Sequence, residues 1–262
     1  MAGLSRNEKH IYSAEYDGPP VVVPGVTGIL QVLAKPAIVP WAQRIVAEAA
    51  IAHRGELEKW VSVGGAEGAV SLLKKAAETQ RDAAANRGSA VHSLAEAIVK
   101  GQPVTVPEEL APYVTAYQSW IEAFQPDFLA IEEMVCSLEY GYAGTLDSIA
   151  VIAGETWLLD IKTSKGYYPD TALQLAAYGH AEFIGRPNDP VQYAIPEIQQ
   201  YGVIHVRPEG AELIPYDVTH VDFAAFLAAK RAHHWQSTRA SKVIGQAIGP
   251  ALLNFSAGRL TA

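Results

Sequence analysis

Hydrophobic and polar positions along the chain follow two periods. From Pro40 to about His53, Ala42, Ile45, Ala49 and Ala52 fall on one stripe, which predicts an amphipathic helix. Glu56 to Trp60 either continues it or forms a short helix, and Gly64-Gly65-Ala66-Glu67-Gly68 breaks the pattern. A long helix is expected from about Ser71 to Lys100, bending near Arg87-Gly88, with His92, Ala95, Glu96 and Val99 along one side. Pro103 and Pro107 end it. The next helix, about Glu108 to Phe124, carries Tyr113, Tyr117, Trp120 and Ile121 as its apolar face. Strand patterns follow at about Phe128–Glu139, Tyr142–Ile152 and Glu155–Thr163, with Ala153-Gly154-Glu155 read as a hairpin turn. A helix at about Asp170–Phe183 is capped by Asp170 or Thr171 and closed by Gly185 and Pro187. Strands at about Gln199–Val206 and Ala211–Asp217 and a helix from Thr219 to Thr238 complete the order. Residues 1–25 read as an irregular surface arm, and no repeats are seen. This order predicts an α/β fold, a mixed central sheet flanked by helices on both faces, with an N-terminal helical extension. The expected division is residues 1–70 for arm and extension and 71–262 for the core, its C-terminal helix and a basic tail.

Composition narrows the class. Of 262 residues, 49% are apolar and 18% charged, a globular rather than a disordered balance. The apolar stretch from Val21 to Trp41 is broken by Pro24, Pro36 and Pro40, and no run reaches the ~18 apolar residues of a membrane span. The charged N-terminus is followed by no signal-peptide core, so a cytoplasmic location is the expectation. The single cysteine, Cys136, excludes an intrachain disulfide and reads as a small buried hydrophobe. Net charge of −8 argues against a nucleic-acid coat protein, but not against a nuclease, whose metal ions offset local acids. Phe223 to Ala262 holds no Asp or Glu, yet carries Lys230, Arg231, Arg239, Lys242 and Arg259. That stretch reads either as a DNA path or as a solvated helix face with a basic tail. No Gly-Lys-Ser/Thr follows the glycines at 64–68, so no P-loop is present.

Candidate chemistry gathers in the strands. Asp160 and Lys162 are two apart, so both point to one face of their strand. Asp147 lies thirteen residues earlier, and the hairpin would bring it near Asp160. Carboxylates suit hard cations such as Mg²⁺, and a nearby lysine can orient water. A buried Asp–Lys ion pair is the simpler alternative. An acid between Leu159 and Ile161 is costly unless it is paired or bound to a metal. Gln174 and Tyr178 share a face of the following helix. Thr163, Ser164 and Lys165 form either a phosphate-binding loop or a solvated one.

Gly144-Thr-Leu-Asp147, Asp160-Ile-Lys162, Gln174-Leu-Ala-Ala-Tyr178 and Gly88-Ser-Ala-Val-His92 together resemble the PD-(D/E)xK nuclease superfamily. The branch they resemble is the RecB-like one, which includes CRISPR-associated exonucleases. Surrounding residues also look like exonucleases encoded by phages. The resemblance covers about Arg81 to Tyr178. It implies a restriction-endonuclease-like core and a Mg²⁺- or Mn²⁺-dependent DNA exonuclease that leaves a 5′-phosphate and a 3′-hydroxyl. By this resemblance Asp147, Asp160 and Lys162 are catalytic, and His92, Asp147, Asp160 and the Ile161 carbonyl bind metal. A histidine ligand points to Mn²⁺ beside Mg²⁺. Gln174 and Tyr178 support the site or contact DNA. Glu133 is the candidate acid on the first strand, with the choice between it and Glu132 left open. The iron–sulfur cluster of the CRISPR-associated members needs four cysteines, so none is expected here. The partners implied are DNA ends and a recombination or helicase protein. A structure-specific endonuclease of the same fold and a non-catalytic DNA-binding module are the alternatives.

Overall fold

A computed structural model describes residues 3–8, 11–15, 18–187 and 189–247. Its first elements correct the expectation of an irregular arm. Strands β1 (Gly3–Arg6), β2 (Tyr12–Glu15) and β3 (Val21–Val23) form an antiparallel sheet. Leu4, Tyr12 and Ala14 are buried from it against Met134, Cys136, Ala143 and Phe183. Each strand spans three or four residues, too short for alternation to show.

Helices α1 (Val26–Leu30), α2 (Ile38–Ala52) and α3 (Arg54–Val99) follow. Here too the structure differs from expectation. α3 begins at Arg54, passes through position 70, and kinks at Gly65, whose φ of 68° and ψ of 179° are not helical. At Arg87 and Gly88 the backbone stays helical, because one glycine lowers helix propensity by about 1 kcal/mol without breaking the helix. A 3₁₀ turn at Glu108–Leu110 leads into α4 (Ala111–Phe124), which ends on a left-handed Gln125.

Strands β4 (Asp127–Ser137), β5 (Tyr142–Ile152) and β6 (Glu155–Lys162) form the expected antiparallel meander. Ala153 and Gly154, with φ of 51° and 86°, make the tight β5–β6 turn. Helix α5 (Asp170–Gly179) is shorter than expected, and Pro169 occupies its N-cap rather than Asp170 or Thr171. The segment meant to close it forms instead β7 (Phe183–Gly185), paired with β4. β8 (Gln192–Tyr193), β9 (Gln200–Arg207), β10 (Gly210–Tyr216) and α6 (His220–Thr238) complete the chain. A capping box joins Thr219 and Asp222 at the start of α6.

The main sheet has the order β10-β9-β6-β5-β4-β7-β8, with β6 and β9 parallel and the other neighbours antiparallel. Helices cover both faces. On one, Val91 and Ala95 of α3 and Tyr117 and Trp120 of α4 pack on Leu159, Ile161 and Ile204. On the other, Ile29, Leu175, Tyr178 and Phe226 of α1, α5 and α6 pack on Tyr142, Leu146 and Leu158. The fold is thus α/β, a mixed sheet flanked by helices, in the order helix, β-meander, helix, strand that the resemblance implies. Cys136 is fully buried, and burial pushes its thiol up to about 12.

A candidate metal centre at the fork of two strands

β5 and β6 pair from Ile152↔Glu155 back to Ser148↔Leu159 and then separate. β6 goes on alone against β9, through Asp160↔Val203 to Lys162↔His205. Where the ladder opens, a side chain replaces the missing backbone partner: Asp147 Oδ2 accepts the Ile161 N–H at 2.6 Å. Strand alternation also fails here. Leu146 and Ile149, an odd number of residues apart, enter the same core cluster. Opposite them Glu132 takes a left-handed φ of 53°, a conformation that costs a non-glycine residue on the order of 1 kcal/mol. The fork turns Asp147 toward α3, where His92 Nδ1 lies 3.4 Å from Asp147 Oδ2.

His92, Glu132 and Asp147 each offer a ligand atom, and these atoms all lie within 4.8 Å of one another. Imidazole nitrogen and carboxylate oxygen suit Mn²⁺ and, through the oxygens, Mg²⁺. Their electrostatics are those of a site short of positive charge. Burial raises the Asp147 carboxyl to about 6, and Asp160 adds to the rise. Burial likewise raises Glu132 to about 7, with Asp147 contributing. A divalent cation would stabilise the ionised form of both.

Asp160 adjoins this set on the other side of the sheet plane. Leu158 packs under α5 and α6 while Leu159 and Ile161 pack under α3 and α4. By alternation Asp160 and Lys162 therefore share the α5 side. Asp160 is only 1% exposed. Its Oδ1 accepts from Gln174 Nε2 at 2.9 Å, and Gln174 Nε2 also reaches the Tyr178 hydroxyl at 3.3 Å. Asp160 Oδ2 lies 2.6 Å from Lys162 Nζ, a charge-assisted contact that leaves its second lone pair free. It is a buried carboxylate oxygen with coordinating capacity to spare. Burial pulls the Lys162 ammonium down, but Asp160 and Asp147 together outweigh it and hold the group above its ordinary value.

The Gly144 backbone is pressed against Tyr178: a Cβ there would overlap the ring and crowd Val26. Gly88 on α3 is under no such constraint, since a Cβ there would meet Thr163 Oγ1 at 3.5 Å, an ordinary contact. Ser164 Oγ donates to the Gly166 carbonyl, and Lys165 is exposed. Glu133 turns away and pairs with Arg186 at 2.8 Å, so Glu132 is the acid that faces His92 and Asp147. Sequence reasoning could not choose between them, because the left-handed Glu132 suspends the alternation that would have decided. It also missed His205 and Arg207 of β9, which donate to the Ser164 carbonyl at 2.7 and 3.0 Å and fix the loop after β6. Arg6 and Tyr12 were missed as well, both bonded at 2.9 Å to Thr145 beside Asp147. Lys230, Arg231, Arg239 and Lys242 lie on α6 and the turn after it, while the site is built from α3, β4, β5, β6 and α5. Arg259 lies outside the described residues. Among the described residues, no helix is long and apolar enough to cross a membrane.

No protein-family model matches the chain, and no curated protein matches it. Among solved structures it is similar to an alkaline exonuclease from Laribacter hongkongensis, with a TM-score of 0.26 and 16% identity, over 58% of this chain and 85% of that one. An overlap this loose carries no functional argument.

Proposed function

We propose that the chain is a divalent-metal-dependent deoxyribonuclease that hydrolyses phosphodiester bonds from DNA ends. One observation carries the reading: the strand fork brings ligand atoms of His92, Glu132 and Asp147 within 4.8 Å of one another beside the buried Asp160–Lys162 pair. A structural ion pair alone does not call for three further metal-ligating groups next to it. His92, Glu132, Asp147 and Asp160 would hold Mg²⁺ or Mn²⁺, with the Ile161 carbonyl as a further ligand. When bound, the cation supplies Lewis acidity, which lowers the pKa of water and offsets phosphate charge.

The remaining chemistry falls to the side chains. Gln174 holds Asp160 by Oδ1, and Oδ2 lies against the Lys162 ammonium. Lys162, with about a third of its side chain exposed, stays protonated and can donate to a phosphate oxygen as negative charge grows on it. The same ammonium can orient the attacking water. Hydrolysis would leave a 3′-hydroxyl and a 5′-phosphate, as the resemblance implies. No nucleophilic serine or cysteine is needed, which accords with a single, buried Cys136. A recombination or helicase protein that exposes DNA ends suits such an activity as partner.

Linear and circular single-stranded DNA test the choice of ends. With Mg²⁺ or Mn²⁺, linear DNA should be degraded and circles spared. Cleaved circles would instead assign an endonuclease of the same fold. Binding without degradation of either would assign a non-catalytic DNA-binding module.

A further inference from the structure

Seven residues, 163–169, join Lys162 at the end of β6 to the helix that carries Gln174, so this loop lies at the mouth of the site. It holds two large exposed aromatic side chains in succession, Tyr167 at 53% and Tyr168 at 47% exposure. Exposed aromatics on a loop ordinarily swing freely, but here the Tyr167 side chain and the Tyr168 backbone are tethered. The Tyr167 hydroxyl donates to Glu212 on β10 at 3.0 Å, and its ring stands nearly perpendicular to His205, 4.9 Å between centroids. The Tyr168 carbonyl accepts from the Tyr216 hydroxyl at 3.2 Å. Tyr216 is in turn within electrostatic reach of Asp160 and Lys162. His205 and Arg207 clamp the base of the loop through the Ser164 carbonyl, and exposed Lys165 supplies a cation between clamp and rings.

We infer that Tyr167 and Tyr168 form a stacking platform for the bases of a single-stranded DNA segment whose backbone enters the Asp160–Lys162 site. This deepens the nuclease reading and rests on it. The occupant follows from the chemistry. One preordered aromatic ring and its exposed neighbour, beside a cation and the proposed phosphodiester site, suit unpaired bases, whose faces stack on any aromatic ring. Paired bases within a duplex hide those faces, so single-stranded ends are the favoured substrate. Because Tyr167 is held by its hydroxyl and its ring rests on His205, little ordering is left for the bound state to impose.

The platform can be tested without catalysis. A single-stranded oligonucleotide bearing 2-aminopurine is titrated in EDTA with the wild-type protein, the Tyr167→Ala/Tyr168→Ala double variant, the Tyr167→Phe/Tyr168→Phe double variant and Tyr168→Ala alone, which keeps the Tyr167 tether. The inference predicts fluorescence quenching with wild type and with the Phe pair. It predicts binding weaker by about tenfold or more, with loss of quenching, in the Ala pair, and an intermediate loss in Tyr168→Ala. Unchanged affinity and quenching in a folded Ala pair would overturn it. Tyr-dependent quenching by a protein that hydrolyses nothing with Mg²⁺ or Mn²⁺ would support the platform while refuting the nuclease reading.

Discussion

At the scale of the residue, roles separate by contact. Lys162 Nζ touches Asp160 and, held protonated by Asp160 and Asp147, has no lone pair to offer a metal. Lys162→Ala should therefore lower the hydrolysis rate by about 10²–10³-fold, the cost of losing one donor to developing charge. Mn²⁺ affinity measured by calorimetry should stay within a few-fold of wild type, and a parallel loss would make the lysine a structural partner only. The adjacent glutamates allow a sharper contrast. Glu132→Gln should weaken Mn²⁺ binding, whereas Glu133→Gln breaks the pair with Arg186 and should leave Mn²⁺ binding unchanged. Equal effects of the two substitutions would contradict the placement of Glu132 in the site. At Gly144 there is no room for a methyl group between Tyr178 and Val26. Gly144→Ala should cost about 1–3 kcal/mol by overpacking, read as a melting temperature several degrees lower; an unshifted melting curve would contradict that close approach.

At the scale of the element, the sequence was legible where the runs were long and regular. The β4–β6 meander, the β5–β6 turn, α4 and α6 follow from period and turn chemistry. So does the shared face of Asp160 and Lys162. What could not be read has a physical reason in each case. β1 and β2 are short, and their burial is set by β4, β5 and β7, far away in sequence. Leu4 is accordingly a core residue, 2% exposed, and Leu4→Ala should cost about 2–4 kcal/mol in denaturant unfolding. A neutral result would restore the reading of residues 1–25 as a loose arm. Gly65 kinks α3 instead of ending it, and α3 packs on α2. The fork at Asp147 was invisible as well, since it depends on β6 leaving β5 for β9 and on a strained backbone at Glu132. Sequence named His92 and Asp147 as candidates but not the distortion that sets one against the other.

At the scale of the whole molecule, the carboxyls of the centre couple stability to protons and, on the proposed reading, to metal. The Asp147 and Glu132 carboxyls are raised to about 6 and about 7 from values of 3.8 and 4.5. Both bind their proton more tightly in the folded chain than in the unfolded one. Their contribution is therefore intact in acid and becomes a penalty as pH rises from about 4 through 7, on the order of a few kcal/mol. A cation that binds the ionised carboxylates offsets that penalty. At a hundredfold excess over its dissociation constant it stabilises by about 2.7 kcal/mol. Mn²⁺ should thus raise the melting temperature by about 5–10 °C at pH 7.5 and by much less at pH 5. An equal shift at both pH values would place the metal elsewhere.

The most direct measurement is degradation of end-labelled linear DNA, single- and double-stranded, by purified wild-type and Lys162→Ala protein with Mg²⁺, Mn²⁺ or EDTA. The account predicts loss of the label only with a divalent cation, about 10²–10³-fold slower in Lys162→Ala and faster on single strands, with the labelled end showing the direction of digestion. Degradation that persists in EDTA, or that runs at the wild-type rate in the Lys162→Ala protein, would contradict it. So would a folded wild-type protein that leaves every substrate intact with either metal.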